Sequence, residues 1–179
     1  MNNKGFSLVE ILISIAIFSV VMVTAAGALL TTIDANHKAQ AIQSVMNNLN
    51  FALESMSRAI RVGDTYHCGD SGSLVGNQVP NDCASGSDFF AFRRSNDNKT
   101  VYYYLSGTQI FREVNAGGAL AISAPEITVE NLKFYVQGAD VGSQAQPRVT
   151  VVIQGYAGAT AKIQTPFDLQ TTISQRMPK

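Results

Sequence analysis

The feature that most constrains this chain is an uncharged run from Ile11 to Ile33, close to the N-terminus. The run consists mainly of Ile, Leu, Val, Ala, Met and Phe, and no proline interrupts it. At about 1.5 Å of rise per residue, about twenty such residues form a helix of roughly 30 Å, the thickness of the hydrocarbon layer of a membrane. The run is too long for the apolar part of an ordinary secretory signal. We therefore expect it to lie in lipid as a helix.

One carboxylate, that of Glu10, stands directly before this run, where a plain membrane anchor would carry another apolar residue. A charge in the apolar part of a membrane costs about 2.5 kcal/mol or more, so we expect Glu10 to have a partner. A cut after Gly5 would make Phe6 the first residue and create a new α-amino cation near Glu10. In parallel, staggered helices the carboxylate of one subunit would then pair with the amine of the next. Each charge would offset the desolvation cost of the other.

The start of the chain reads Lys4-Gly5-Phe6-Ser7-Leu8-Val9-Glu10 and continues directly into the apolar run. This arrangement resembles the class III signal of type IV pilins and type II secretion pseudopilins. In that family a prepilin peptidase cleaves after the glycine and methylates the new terminal amine. The resemblance implies a cleaved leader at residues 1–5, cleavage after Gly5, N-methylation of Phe6, and an intersubunit salt bridge accepted by Glu10. The implied partners are prepilin peptidase, other pilin or pseudopilin subunits, an inner-membrane assembly platform, and the lipid bilayer before assembly.

The charge balance gives no reason to expect nucleic acid as a direct partner. The chain has 13 Lys and Arg residues against 13 Asp and Glu residues, and its basic residues are scattered. Lys4 precedes the apolar run, and the positive-inside tendency places this end in the cytoplasm. We expect a single-pass protein of the cytoplasmic membrane with an exported head, which then becomes part of an extracellular or periplasmic filament.

A helical pattern continues beyond the apolar run. Apolar residues recur at spacings of three and four residues, at Ile42, Val45, Met46, Leu49, Leu53, Met56 and Ile60. No proline interrupts this part, and Gly63 supplies a stop signal. We predict one helix from about Phe6 to Arg61, with a transmembrane or filament-core half at residues 6–33. Its amphipathic half, residues 34–62, would carry the head on its apolar face.

Residues 63–87 are rich in Gly, Ser, Asn and Asp, and we predict a loop there. This segment holds both cysteines, Cys68 and Cys83. In an exported domain a disulfide is the first expectation, and closing a loop of about 16 residues stabilises a fold by roughly 3 kcal/mol. The alternative is a metal site formed by both thiolates and His67, but further ligands at short spacing are missing. We predict the disulfide, and neither a metal nor a cofactor.

The remaining residues, 88–179, have the composition and alternation of an antiparallel β-sheet head. The predicted strands are Asp88–Arg94, Thr100–Leu105, Thr108–Val114, Ile127–Val136, Arg148–Gln154 and a last strand from Lys162 onward. Strict alternation in the three longer strands predicts one buried face, packed on the amphipathic half of the helix. Pro166 indicates an edge position or a bulge. The predicted fold class is α+β, with one long N-terminal helix on a C-terminal antiparallel sheet.

Two short segments bear on function. Residues 69–73 read Gly-Asp-Ser-Gly-Ser and are similar to the nucleophile segment of chymotrypsin-like proteases, but neither His37 nor His67 is placed to complete a triad. We expect no enzyme. Residues 167–176 resemble the C-termini of minor pilins and J-type pseudopilins, which implies a minor filament subunit. The alternative is a single-pass, membrane-anchored exported binding domain that forms no filaments, which leaves Glu10 unpaired.

Overall fold

The computed structural model describes Gly5 and residues 7–69, 79–115, 117–158 and 164–176. Four predictions lie wholly or partly outside the described residues: the leader at residues 1–5 apart from Gly5, the methylation site Phe6, the middle of the predicted loop, and the start of the predicted last strand. The chain divides into two compact units, Met1–Gln40 and Ala41–Lys179.

The first unit contains the beginning of helix α1, which spans Leu8–Arg61. Within the described residues, α1 is the helix that is long and apolar enough to cross a membrane. Its hydroxyl groups bond to carbonyl groups of the same helix: Ser14 Oγ donates to the Glu10 carbonyl at 2.7 Å, and Ser19 Oγ to the Ile15 carbonyl at 2.8 Å. These hydroxyls are therefore satisfied without water, as an apolar environment requires.

The second unit contains the remainder of α1, which is amphipathic as predicted. Its buried residues follow helical spacing and are Val45, Leu49, Ala52, Met56 and Ile60. The helix ends at Arg61, the predicted last residue. Its final carbonyl groups are satisfied by the chain that follows, since the Tyr66 hydroxyl donates to the Ile60 carbonyl at 2.6 Å and the Arg176 amide donates to the Arg61 carbonyl at 2.8 Å.

Nine strands follow α1 in the described residues: β1 Gly63–Cys68, β2 Cys83–Ser87, β3 Phe89–Arg94, β4 Thr100–Ser106, β5 Gln109–Val114, β6 Leu120–Ala121, β7 Ile127–Gln137, β8 Arg148–Ala157 and β9 Thr165–Ser174. They form two antiparallel sheets, ordered β1-β3-β4-β5-β6 and β2-β7-β8-β9. The α+β class is confirmed, although the head has two sheets where one was predicted. Both sheets contribute to one core, and the Phe90 ring of the first stacks on the Phe134 ring of the second at 5.3 Å.

The predicted loop at residues 63–87 needs correction, because both of its ends are strands. β1 pairs with β3 at one edge of the first sheet, and β2 pairs with β7 at one edge of the second. An edge strand needs backbone hydrogen bonds on one side only, so Gly and Ser do not prevent pairing. At Gly63 the small residue is required, because an added Cβ would collide with the Phe92 ring.

The alternation predicted for the long strands is confirmed. In β8 every second residue is buried, and β8 pairs with both neighbours over its whole length. In β7 the alternation changes phase at the register shift between Val129 and Asn131, so Ile127 and Val129 are buried before the shift, and after it the buried residues are Leu132, Phe134 and Val136. β9 lies at the edge of the second sheet, so Pro166 occupies the edge position that the sequence indicated.

Candidate functional site

The N-terminal end of α1 is built by two reciprocal hydrogen bonds between Ser7 and Glu10. The Ser7 amide donates to Glu10 Oε2 at 3.3 Å, and the Glu10 amide donates to Ser7 Oγ at 3.2 Å. This is a capping box, in which two residues three positions apart satisfy backbone groups that the first helical turn leaves without partners. The negative charge of Glu10 also interacts favourably with the positive end of the helix dipole.

Gly5 lies just ahead of this cap and is fully accessible. It is exposed, and a Cβ added there would meet no atom of the described residues within 4 Å. The fold itself therefore places no steric demand for glycine at this position. A requirement for glycine would have to come from another molecule that handles this peptide bond.

The cysteine pair joins the two sheets. Cys68 and Cys83 form the predicted disulfide, with their Cα atoms 5.7 Å apart. Cys68 ends β1 and Cys83 begins β2, so the bridge connects an edge strand of each sheet. Both sulfur atoms lie close to the Phe134 carbonyl oxygen of β7, at 3.4 and 3.2 Å. His67, the third residue of the alternative metal site, has its Nδ1 atom 2.7 Å from the Val79 carbonyl oxygen.

Residues 1–26 match the family model of the prokaryotic N-terminal methylation motif. The chain carries a prepilin signal. This signal is the one found in type IV pilin and pseudopilin precursors, and here it extends from the leader into the apolar part of α1. No curated protein matches the chain, and no solved structure matches it.

Within the prepilin signal, the structure places Gly5 and Glu10 in one short segment and adds Ser7, which sequence reasoning missed. The signal for Ser7 was present, because Ser-x-x-Glu before an apolar run is the pattern of a capping box. The capping box changes the interpretation of Glu10. Its carboxylate was expected to pair with the terminal amine of a neighbouring subunit, and in the single chain it already caps its own helix. Only Oε2 accepts a hydrogen bond from the described residues, so Oε1 remains available to a second donor.

Away from the prepilin signal, the described residues contain no group of three or more His, Cys, Asp and Glu side chains arranged to hold a metal ion. His37 lies on α1 and His67 on β1. The serine of the protease-like segment, Ser71, is outside the described residues. Arg58 and Glu54 form an exposed ion pair at 2.7 Å on the surface of α1, and Arg94 and Asp97 form a half-buried one at 2.6 Å in the head.

Proposed function

We propose that the chain is the precursor of a structural subunit, a minor pilin or pseudopilin, of a type IV pilus-like filament. The observation that carries this proposal is the prepilin signal at residues 1–26, which leads into a helix with an apolar surface on all sides. A helix that is apolar all round requires burial. Lipid provides that burial for a single subunit, and the helices of other subunits provide it in a filament.

The assembly chemistry centres on Glu10. Prepilin peptidase cleaves after Gly5 and methylates the amine of Phe6, and the assembly platform then moves the subunit from the bilayer into the filament. Glu10 Oε2 keeps its bond to the Ser7 amide, while Oε1 accepts from the methylated amine of a neighbouring subunit. The charge pair makes the carboxylate tolerable in an apolar core. The function is structural, and no catalytic step is involved.

Three observations support the orientation and the minor role. The disulfide between Cys68 and Cys83 is suited to an oxidising compartment, which agrees with an exported head and a cytoplasmic N-terminus. The two-sheet head and the likeness of residues 167–176 to minor pilins and J-type pseudopilins favour a minor subunit over a major one.

A second candidate function is a membrane-anchored exported binding domain that forms no filaments. The capping box favours this candidate more than the sequence did, because Glu10 has a hydrogen-bond partner within its own chain. It still offers no reason for a prepilin signal.

Mass spectrometry of the N-terminal peptide, in protein extracted from membranes and from sheared filaments, separates the two candidates. The filament proposal predicts a chain that begins with N-methylphenylalanine at position 6 and is present in filaments in trace amounts. A chain that retains Met1 and enters no polymer would contradict the proposal. Dominance in sheared filaments would contradict the minor role alone.

A further inference from the structure

The outer face of the second sheet contains a shallow pocket of about 200 Å³. Tyr135, Thr150 and Thr172 form one row across β7, β8 and β9, and Gln137 with Arg148 forms the row beside it. These five residues line the pocket, and none of them is acidic. The pocket therefore has one positive charge and no negative charge among its lining residues.

A bulge in β2 fixes the position of the Tyr135 ring, which forms the aromatic side of this pocket. The pairing of β2 with β7 shifts register between Cys83 and Ser87, and Gly86, within that bulge, has a φ of +79°. A Cβ at Gly86 would lie 2.7 Å from Tyr135 Cε1 and 2.9 Å from its Cζ. The Tyr135 ring thus lies directly against the backbone of Gly86, where only glycine leaves room for it.

The polar side chains of the pocket are held in place by hydrogen bonds to one another. Most of the hydrogen-bonding groups that they still offer to a ligand are donors. Arg148 Nε and Nη2 donate to Gln137 Oε1 at 2.9 and 2.5 Å. The remaining guanidinium N–H groups and both N–H groups of the Gln137 amide are then available to a ligand. The hydroxyl oxygens of Thr150 and Thr172 lie 2.9 Å apart and share one proton, so one further O–H remains.

We propose that this pocket binds a saccharide unit that carries a carboxylate group. The fixed Tyr135 ring offers an apolar surface on which the C–H face of a sugar ring can stack, as aromatic side chains do with apolar groups elsewhere. The amide and hydroxyl donors face the oxygen atoms of the sugar. The guanidinium of Arg148 recognises a carboxylate in planar geometry, and the unbalanced positive charge favours an anionic ligand over a neutral one.

Titration of the full chain in phosphocholine micelles with three small probes, followed by NMR, tests the proposal. D-glucuronate has both the sugar ring and the carboxylate, D-glucose lacks the carboxylate, and acetate lacks the ring. We expect D-glucuronate to bind about tenfold more tightly than either of the other probes. If acetate binds as tightly as D-glucuronate, the pocket recognises only an anion and the role of the sugar ring is contradicted. If D-glucose binds as tightly as D-glucuronate, the role of Arg148 is contradicted. No binding of D-glucuronate would overturn the proposal.

Variants test whether D-glucuronate binds in this pocket. Arg148→Gln and Gly86→Ala should each weaken D-glucuronate binding about tenfold, the first by removing the charge and the second by displacing the ring of Tyr135. Tyr156→Ala is the matched control, because Tyr156 lies on the same face of β8 outside the pocket. Unchanged binding in Arg148→Gln, or an equal loss in Tyr156→Ala, would contradict the site. Arg148 is exposed, so its variant tests the site even if Gly86→Ala does not fold.

Discussion

The amide of Ser7 and the carboxylate of Glu10 are hydrogen bonded at 3.3 Å, and the reverse bond, from the Glu10 amide to Ser7 Oγ, is 3.2 Å long. Neither bond uses Gly5 or any residue before it, so a cut after Gly5 leaves the capping box intact. The mature subunit would therefore present a carboxylate that its own helix already orients. The two roles of Glu10, as a helix cap and as a charge, are separable by substitution.

Glu10→Gln is expected to keep the cap and lose the charge. The side-chain oxygen of glutamine accepts a hydrogen bond from the Ser7 amide as that of glutamate does, but it carries no negative charge to pair with a terminal amine. We expect Glu10→Gln and Glu10→Ala to lower incorporation into filaments to a similar extent. Ser7→Ala, which loses the cap at a cost of about 1 kcal/mol to the helix, should assemble nearly normally. The measurement is the ratio of subunit in sheared filaments to subunit in membranes.

Two outcomes would contradict this prediction. Normal incorporation of both Glu10 variants would show that no charge pair is needed. A loss in Ser7→Ala as large as that in Glu10→Ala would show that the cap, and not the charge, controls assembly.

Gly5→Ala is expected to leave the precursor uncleaved in the membrane. Because a Cβ at Gly5 meets no atom within 4 Å in the part of the chain that the structure describes, the substitution is not expected to disturb the fold. Gly27→Ala is the matched control, since Gly27 also has open space around it and alanine favours a helix by about 1 kcal/mol. The intact mass of each variant reports processing. Recovery of a Gly5→Ala chain that starts at Phe6 would disprove the assignment of the cleavage site.

Removal of the disulfide is expected to destabilise the head. For a sequence separation of 15 residues, Cys68→Ser or Cys83→Ser should lower the free energy of unfolding by about 3 kcal/mol. Since either substitution breaks the same bond, the double variant should be no less stable than the single variants. Urea unfolding, followed by the near-ultraviolet circular dichroism of the tyrosines, measures these values. Additive losses would indicate that each sulfur has a separate role.

High pH is expected to destabilise the head through its buried tyrosines. Burial raises the pKa of Tyr103 from its ordinary value of 10.0 to about 12, although the guanidinium of Arg112 acts in the opposite direction. Burial, and secondarily the charge of Asp64, also raises the pKa of Tyr66. The folded chain therefore holds these protons more tightly than the unfolded chain. This contribution to stability is complete below about pH 10 and is lost as the pH rises towards about 12.

Two Phe variants test this pH dependence by urea unfolding at a series of pH values. Tyr103→Phe should flatten the fall in stability above about pH 10 and cost little near neutral pH, because the Tyr103 hydroxyl has no hydrogen-bond partner in the described residues. Tyr66→Phe should flatten it too, but it also loses the bond to the Ile60 carbonyl, worth about 1 kcal/mol. An unchanged pH profile in both variants would rule out the tyrosines as the cause.

The helix and the long strands could be predicted from the sequence because their burial is periodic. Helical spacing continues without a break to Arg61, where α1 ends, and the alternation from Leu132 to Val136 and along β8 matches the observed burial. The division into two sheets could not be predicted in the same way. Alternation shows which side chains are buried, but it does not show which strands are neighbours. β1 and β2 were missed because edge pairing through backbone groups needs no apolar pattern.

The candidate sites also differ in how far they could be predicted from the sequence. Residue type and spacing were enough to single out Gly5 with Glu10 and Cys68 with Cys83, because the members of each set are close to one another in the chain. Ser7 was within reach of the same reasoning. The pocket beside Tyr135 was not, because it depends on the position of Gly86 opposite that ring, and this position is set by the register between two strands far apart in sequence.

The bridge between the two sheets has a mechanical consequence for a subunit in a filament under tension. A pulling force that arrives along α1 acts on the core through the buried residues of the helix, and the chain beyond Arg61 carries it into β1. At Cys68 a covalent bond passes that force directly to β2, and so to the other sheet. β1 can separate from β3 only as far as Cys68, because beyond that residue the disulfide pulls on β2 as well. Further unravelling of the head therefore loads both sheets at once.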